Sequence, residues 1–325
     1  MDSRFRAKLA QVGHASRLAT RGHRDRPEPG AAILWCMNDP VFVVHGATLV
    51  QRALVLDSPH SGFAMPADFG SIRTEDELRD GEDCYIDELW LPVVARGVPL
   101  LAAQFPRTYL DPNRHAGDID PDLLDEPWPG EFRPSGKAAI GKALLWRTLD
   151  DGRPIYDRCL TVAEVRGRIE RCHRPYHDAL KALLDAAHAR FGVVHHINCH
   201  SMNAVSGAMG EGGAGIARAD IVLGDRDGTT CAPEFTAFVR ERLAGFGYEV
   251  KVNDPFKGVE LVRAYADPAA GRHSLQLEVN KRLYMDASTL SKSVGFASLQ
   301  AHLMQLIDAI HERFGPTDPG ELQDA

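Results

Sequence analysis

Short runs of apolar residues alternate with longer amphipathic segments from residue 31 onward, and this alternation limits the possible folds more than any other feature. Short apolar runs are typical of buried strands, whereas apolar residues three and four positions apart indicate helices. The predicted strands cover residues 52–57, 98–103, 193–197, 219–223, 248–252 and 274–279. Because strands that alternate with helices form layered sheets, we predict an α/β fold: a central mixed, mostly parallel sheet with helices on both faces.

The longest predicted helix lies between Thr161 and Gly192. Thr161 and Glu164 have the spacing of a capping box at the start of a helix, and Gly192 suits the position just after the end of one. Pro175 lies inside this segment, and because proline has no backbone N–H, we expect it to kink or divide the helix. A last amphipathic helix is predicted to end before Gly315.

The composition is that of a globular chain. The sequence has 325 residues, of which 44% are hydrophobic and 25% charged, and its formal net charge is −8. This balance argues against nucleic acid or an anionic membrane as a dedicated partner, and no apolar run is long enough for a transmembrane helix. The six cysteines match neither a zinc ribbon nor a disulfide framework, which favours the cytoplasm. Residues 1–30, rich in basic side chains, are predicted to be a flexible or loosely docked extension, with an organelle-targeting peptide as the alternative, before a single domain at 31–325.

Two histidines follow predicted strands at matching positions. His60 lies in Ser58-Pro-His-Ser-Gly62, and His200 lies in Asn198-Cys-His-Ser-Met202. Ligands of such sheets bind beyond the carboxyl ends of the strands, and imidazole is a common ligand of zinc. A catalytic zinc needs three protein ligands, but spacing alone does not select the third. The nearby acids are Asp57, Asp68, Asp76, Glu82, Asp83, Asp87 and Glu88.

Two further positions carry polar groups suited to chemistry. In the strand at 274–279, alternation places Glu278 on the face opposite the leucines. A carboxylate there is costly unless it is solvated, paired or functional, so Glu278 is either a catalytic group or a salt-bridged acid. Asn113 and Arg114 can together bind a carboxylate, with a two-pronged contact from the guanidinium, or else form a surface turn.

Three other patterns are weaker signals. His173 and His177 have the spacing of a helical metal pair, but the proline between them disturbs that geometry. His195 and His196 point to opposite faces of a strand, so at most one of them can reach a given site. The glycine-rich run at 207–215 lacks the Lys-Ser/Thr of a P-loop and is predicted to be a flexible loop near the second strand histidine.

Several short motifs follow one another in a defined order along the chain. They are Ser58-Pro-His-Ser-Gly62, Glu82-Asp83, Asp111-Pro-Asn-Arg114, Arg174-Pro-Tyr-His177, Cys199-His-Ser-Met202 and Gln276-Leu-Glu-Val-Asn280, the last followed by Tyr284-Met285. Together they resemble the N-formylglutamate amidohydrolase family, and the resemblance runs from about residue 41 to residue 310. It implies a fold related to that of the zinc carboxypeptidases.

The resemblance also implies a ligand set and two catalytic roles. One divalent metal ion, zinc, would be held by His60, Asp83 and His200, which selects Asp83 among the nearby acids. Glu278 would handle the attacking water. Asn113 and Arg114 would bind the free carboxylate of the substrate, as the matching pair does in the carboxypeptidase relatives, although Pro112 departs from the leucine that is frequent in the family.

The predicted function is metal-assisted hydrolysis of the N-acyl amide of a small acidic amino acid, with N-formyl-L-glutamate cleaved to formate and L-glutamate. Arg263 is a further candidate to bind the carboxylate, and Arg107 and His177 are the candidates to stabilise the oxyanion. The partner is a small anionic N-acyl amino acid, and the oligomeric state stays open. The alternatives are a related zinc hydrolase with another N-acyl amino acid or a peptide as substrate, and an inactive metabolite-binding protein, against which Glu278 argues.

Overall fold

The structure is a computed structural model that describes residues 32–36, 39–46, 50–210 and 213–315. The extension predicted for residues 1–30 lies outside these ranges. Within them the main sheet has eight strands in the order β1-β2-β4-β3-β5-β8-β6-β7. The strands are β1 Ala32–Cys36, β2 Asp39–His45, β3 Leu54–Ser58, β4 Leu100–Ala103, β5 Val194–Met202, β6 Ile221–Gly224, β7 Val250–Val252 and β8 Arg272–Asn280, with β9 Met285–Asp286 and β10 Ser291–Lys292 in a separate small ladder.

Parallel pairing dominates the centre of the main sheet. β4, β3, β5 and β8 are parallel neighbours, and β6 and β7 also pair in parallel. The β1–β2, β2–β4 and β6–β8 pairs are antiparallel. The sheet is therefore mixed and mostly parallel, as predicted, and the carboxyl ends of β3, β5 and β8 meet at one edge.

Helices cover both faces of this sheet. They are α1 Glu75–Leu78, α2 Ile86–Trp90, α3 Val162–Arg168, α4 Arg174–Phe191, α5 Pro233–Gly245, α6 Glu260–Tyr265 and α7 Gly295–Phe314. On one face, buried residues of β3 and β4, such as Val55, share one hydrophobic cluster with residues of α4, such as Leu180. On the other face, residues of β5 and β8, such as Leu277, share a second cluster with residues of α2, α5 and α7, such as Leu303. None of the helices in the described part of the chain has the length and apolar character that crossing a bilayer requires.

The long predicted helix is present, and Pro175, which was expected to kink or divide it, does not interrupt it. Thr161 and Glu164 form a complete capping box at its start, and Gly192 ends it in the left-handed conformation. Between α3 and α4 the residues Ile169–His173 form one wider π-helical segment. Because a proline ring clashes with the carbonyl four residues earlier in a regular α-helix, the wider turn accommodates Pro175 without ending the helix.

Polar side chains follow the strand alternation on one face of β5 and β8. His196, Asn198 and His200 are two residues apart on β5, so they lie on the same face. The prediction that His200 follows its strand was wrong, because β5 stays paired with β8 as far as Met202 and Asn280. The second strand histidine therefore projects from within the sheet, near its carboxyl edge.

The turn after β3 packs directly against the backbone after β4. A Cβ atom on Gly62 would lie 2.3 Å from the carbonyl carbon of Gln104 and 2.6 Å from the carbonyl oxygen of Phe105. Backbone atoms cannot rotate away as a side chain can, so this contact requires glycine. It fixes the path of the chain immediately after His60.

We expect Gly62→Ala to lower the free energy of unfolding by about 1–3 kcal/mol, the usual cost of overpacking, measured by urea denaturation. Gly136→Ala is the matched control, since a Cβ atom there meets nothing within 4 Å. A Gly62→Ala protein as stable as the control would contradict the close approach.

Candidate active site

A cavity of about 510 Å³ opens at the carboxyl ends of β3, β5 and β8. It contains the groups singled out in the sequence as candidate metal ligands, together with Glu278, Arg107 and Arg114. The cavity lies where an α/β sheet generally binds its ligands.

His60, just after β3, has one ring nitrogen committed to the protein and one directed to the site. Its Nε2 lies 2.7 Å from Oδ1 of Asp111, a fully buried carboxylate. Because a carboxylate only accepts hydrogen bonds, Nε2 carries a proton, which leaves Nδ1 as the ring nitrogen that can offer a lone pair. Nδ1 is buried, has no hydrogen-bond partner in the described ranges, and lies 3.3 Å from Oδ2 of Asp83.

His200 is arranged in the same way. Its Nε2 lies 2.7 Å from the amide oxygen of Asn198, and its Nδ1 lies 3.0 Å from Oδ2 of Asp83. Burial lowers the pKa of His200, which outweighs the opposite effect of Asp83. The ring is therefore neutral, the form in which imidazole binds a metal.

Asp83 joins the two histidines from a loop that precedes α2. Its backbone N–H donates to the carbonyl of His60 at 3.0 Å, and its Oδ1 accepts from the hydroxyl of Ser201 at 3.1 Å. Burial raises the pKa of Asp83, but the neighbouring His200 and His60 lower it further, so the net pKa lies well below its ordinary value. The carboxylate is ionised.

These three side chains can hold a divalent cation. Their ligand atoms lie within 4.8 Å of one another. Tetrahedral zinc with bonds of about 2.0–2.2 Å places neighbouring ligand atoms about 3.4 Å apart, and the separations from Oδ2 of Asp83 to the two Nδ1 atoms are 3.3 and 3.0 Å. The orphaned Nδ1 of His60 is the strongest sign, because a buried polar atom without a partner is costly.

Glu278 lies beside this cluster. It is the partner of His200 in the β5–β8 ladder, lines the cavity and is 8% exposed. Its Oε1 accepts a hydrogen bond from Nε2 of Gln276 at 2.8 Å. Burial, and next the charge of Asp83, raise the pKa of Glu278 well above its ordinary value, against the opposing effect of Arg107. The carboxyl group is thus suited to take up a proton.

Two guanidinium groups on the cavity wall share one carboxylate. Nη2 of Arg107 lies 2.7 Å and Nε of Arg114 lies 3.7 Å from Oδ2 of Asp111. The Nε atom of each arginine is buried and has no hydrogen-bond partner within the residues described. Both residues line the cavity, so their guanidinium groups present positive charge to a ligand there.

Asn113 is engaged by the protein rather than turned freely toward the cavity. Its amide oxygen accepts from the backbone N–H of Leu261 at 2.9 Å, and its Nδ2 lies 3.1 Å from Nε2 of His200 and 3.4 Å from the amide oxygen of Asn198. The side chain therefore packs behind His200, although it is part of the cavity lining.

His177 and Arg263 lie apart from the cavity lining. His177 donates from Nε2 to the carbonyl of Pro112 and accepts at Nδ1 from the hydroxyl of Tyr265, each at 2.8 Å. Its ring stacks on that of His173, with centroids 4.0 Å apart. The exposed Arg263 forms a forked ion pair with Glu260 at 2.7 and 2.8 Å.

Two residues for which the sequence predicted no role contact the candidate ligands. Asp111 orients His60, and Asn198 orients His200. A signal for Asn198 was available, because it lies two residues before His200 and so on the same face of the strand. For Asp111 the only signal was its place in the Asp111-Pro-Asn-Arg114 motif.

The chain is similar to proteins of known classification over most of its length. Residues 52–285 match the model of the N-formylglutamate amidohydrolase family. The N-formylglutamate deformylase of Pseudomonas putida is 28% identical over 270 residues, which cover 76% of this chain and 86% of that protein. The deformylase of Pseudomonas aeruginosa is 29% identical over 243 residues, covering 72% and 82%. A crystal structure of N-formylglutamate amidohydrolase from Ralstonia eutropha JMP134 is 46% identical, has a TM-score of 0.78, and covers 84% of this chain and 98% of its own.

His177 should make stability depend on pH. Burial, and next the neighbouring His173, lower the pKa of His177 to about 3. Between that value and about 6.5 the unfolded chain binds more protons, so stability is lost as the pH falls through this window. Relative to His177→Gln, the wild type should lose at most about 2 kcal/mol more unfolding free energy between pH 7 and pH 5. Urea titrations at each pH measure this, and parallel curves would contradict a neutral His177.

Proposed function

The chain belongs to the N-formylglutamate amidohydrolase family, and from this membership we propose that it hydrolyses N-formyl-L-glutamate to formate and L-glutamate with one divalent metal ion, zinc, held by His60, Asp83 and His200. The bond cleaved is a linear C–N amide bond. One observation supports the metal dependence of this reaction. Beside Glu278, Oδ2 of Asp83 lies 3.3 Å from Nδ1 of His60 and 3.0 Å from Nδ1 of His200.

Glu278 is the proton carrier of the proposed reaction. When bound, the metal ion supplies polarisation of the acyl oxygen and lowers the pKa of the attacking water. Glu278 takes a proton from this water as its oxygen adds to the acyl carbon, and then gives a proton to the amine nitrogen as the C–N bond breaks. Burial supports this role, because it favours the protonated carboxyl group that the second step needs.

Arg114 and Arg107 bind two different anionic groups in the proposed reaction, the substrate carboxylate and the oxyanion. We assign the substrate carboxylate to Arg114, whose guanidinium can form a two-pronged contact. We assign the oxyanion to Arg107, since His177, the other candidate, has both ring nitrogens engaged outside the cavity lining. Asn113 supports His200 in this scheme, and Arg263 takes no part in it.

The charge of the cavity supports an anionic substrate. Its basic lining residues are Arg107, Arg114, Lys137, Arg218, Lys257 and Lys281, together with Lys142, whose pKa burial lowers to about 7, against the acids Asp80, Asp83, Asp150 and Glu278. A cleft lined mainly by one sign of charge concentrates ligands of the opposite sign. The volume of about 510 Å³ falls in the range of drug-sized ligands, so hydrolysis of another N-acyl amino acid is the second candidate. Rates with formyl, acetyl and longer acyl donors separate the two.

We expect Glu278→Gln to lower turnover of N-formyl-L-glutamate by roughly 10²–10⁴, because the amide keeps the shape of the side chain but cannot transfer the proton. Formate release gives the turnover, and elemental analysis should find an unchanged metal content. Glu260→Gln, at another buried glutamate outside the cavity lining, is the control and should retain activity. A Glu278→Gln enzyme with near-normal turnover removes this residue from the mechanism.

Arg114→Lys should lower kcat/KM for N-formyl-L-glutamate by an order of magnitude or more, on the scale of about 1.5–3 kcal/mol for a charge-assisted hydrogen bond. Lysine keeps the charge but lacks the planar fork. The loss should be much smaller for an N-formyl amine without a carboxylate. Arg263→Lys serves as the matched control and should behave as wild type. Equal losses on both substrates would refute carboxylate binding by Arg114.

A further inference from the structure

A buried carboxylate, Asp57, lies behind the candidate metal centre. It belongs to β3, is fully buried, and is the direct partner of Asn198 in the β3–β5 ladder. Its Oδ1 accepts from Nε2 of His196 at 2.8 Å and from Nδ2 of Asn198 at 2.7 Å. Its Oδ2 accepts from the hydroxyl of Tyr176 at 2.8 Å. Burial raises the pKa of Asp57, but these hydrogen bonds bring it below its ordinary value, so the group is an anion.

This anion determines which way the Asn198 amide points. An ionised carboxylate only accepts hydrogen bonds, so Asn198 must direct its NH₂ group toward Asp57. The amide oxygen then faces the other way, 2.7 Å from Nε2 of His200. Asn113 supports this orientation. Its own oxygen is taken by the N–H of Leu261, which leaves its NH₂ as a donor 3.4 Å from the oxygen of Asn198.

The orientation of Asn198 in turn determines the tautomer of His200. An amide oxygen cannot donate, so Nε2 of the neutral ring must hold the proton, and the lone pair is on Nδ1. That atom lies 3.0 Å from Oδ2 of Asp83, at the point where the candidate ligands meet. Nε2 also lies 3.1 Å from the NH₂ of Asn113, which is a donor, but its contact with the oxygen of Asn198 is shorter at 2.7 Å, so the acceptor sets the tautomer.

We propose that Asp57 is a positioning residue that fixes His200 in its Nε2–H tautomer through the amide of Asn198, so that Nδ1 is the metal-binding nitrogen. The inference rests on the proposed metal-dependent function. Groups behind metal ligands commonly act in this way, and their loss weakens metal binding by about 10–100-fold.

The serine and histidine beside Asp57 do not form a hydrolytic triad. Ser274 Oγ lies 2.6 Å from Nδ1 of His196, whose Nε2 contacts Asp57. However, Ser274 is 1% exposed and does not line the cavity, so it cannot reach a substrate. These contacts hold the carboxylate in place.

The two oxygens of Asp57 allow a matched test. Asp57→Leu removes the acceptor for Asn198, whereas Tyr176→Phe removes one donor to the same carboxylate and leaves the link to Asn198 intact. Asp57→Asn is the conservative variant. Its oxygen can still accept from His196 and Asn198 while its NH₂ faces the Tyr176 hydroxyl, which also accepts.

Two measurements test the proposal. Competition with a chelator gives the zinc affinity, and nitrogen NMR of the metal-free protein gives the tautomer of His200. Asp57→Leu should weaken zinc binding 10–100-fold and populate the Nδ1–H tautomer, while Tyr176→Phe and Asp57→Asn should stay near wild type in both. If Asp57→Leu does not fold, Asn198→Leu removes the same link and should weaken binding equally.

The outcomes separate this inference from the function on which it rests. If the wild-type protein binds no divalent metal, both are overturned. If the wild type binds zinc and Asp57→Leu, or Asn198→Leu in its place, binds it equally well with an unchanged tautomer, the positioning role alone is overturned. Equal weakening by Tyr176→Phe would also overturn it, because the effect would then come from general disturbance of the core.

Discussion

The meeting of two imidazole nitrogens and one carboxylate oxygen at the edge of a mostly parallel sheet is the arrangement on which the rest of the site depends. Each histidine can direct Nδ1 outward only because its Nε2 proton has a buried acceptor, Asp111 for His60 and Asn198 for His200. Those acceptors are polar groups inside a hydrophobic core, where each unmet hydrogen bond is costly. They are stable there because their remaining atoms are also bonded.

Most of the elements that form this edge could be predicted from the sequence. Apolar runs marked β3, β4 and β8, and strand alternation correctly placed Glu278 on the face opposite Leu275 and Leu277. The capping residues Thr161 and Gly192 gave the correct ends of the long helix. These features depend on neighbours within a few residues, so periodicity and local backbone chemistry determine them. The end of β5 was predicted too early, because its last residues stay in the strand through pairing with β8, which lies far away in the sequence.

The connections within the site could not be predicted in the same way, because they join residues far apart in the sequence. Spacing left seven acids near His60 as equivalent, and only the family resemblance selected Asp83. The amide of Asn113 was predicted to donate to the substrate carboxylate, whereas in the structure its NH₂ lies 3.1 Å from Nε2 of His200 and its oxygen accepts from Leu261, 148 residues away. Arg263 was predicted to bind the substrate carboxylate, but it forms an ion pair with its helix neighbour Glu260 and lies outside the cavity lining. Donor and acceptor matching across the fold, rather than residue type, decides such roles.

The helix around Pro175 shows how a local backbone constraint can fix the conformation of a loop that is distant in the sequence. The sequence indicated that Pro175 would prevent His173 and His177 from acting as a helical metal pair. In the structure the π-helical segment before Pro175 keeps the helix continuous, and the two rings stack on one another. Their Nε2 atoms donate to the carbonyls of Arg114 and Pro112, each at 2.8 Å. Since both carbonyls flank Asn113, this pair of histidines holds the backbone of the loop that carries Arg114. The conformation of a loop that lines the cavity thus depends on a widened helical turn about 60 residues later in the chain.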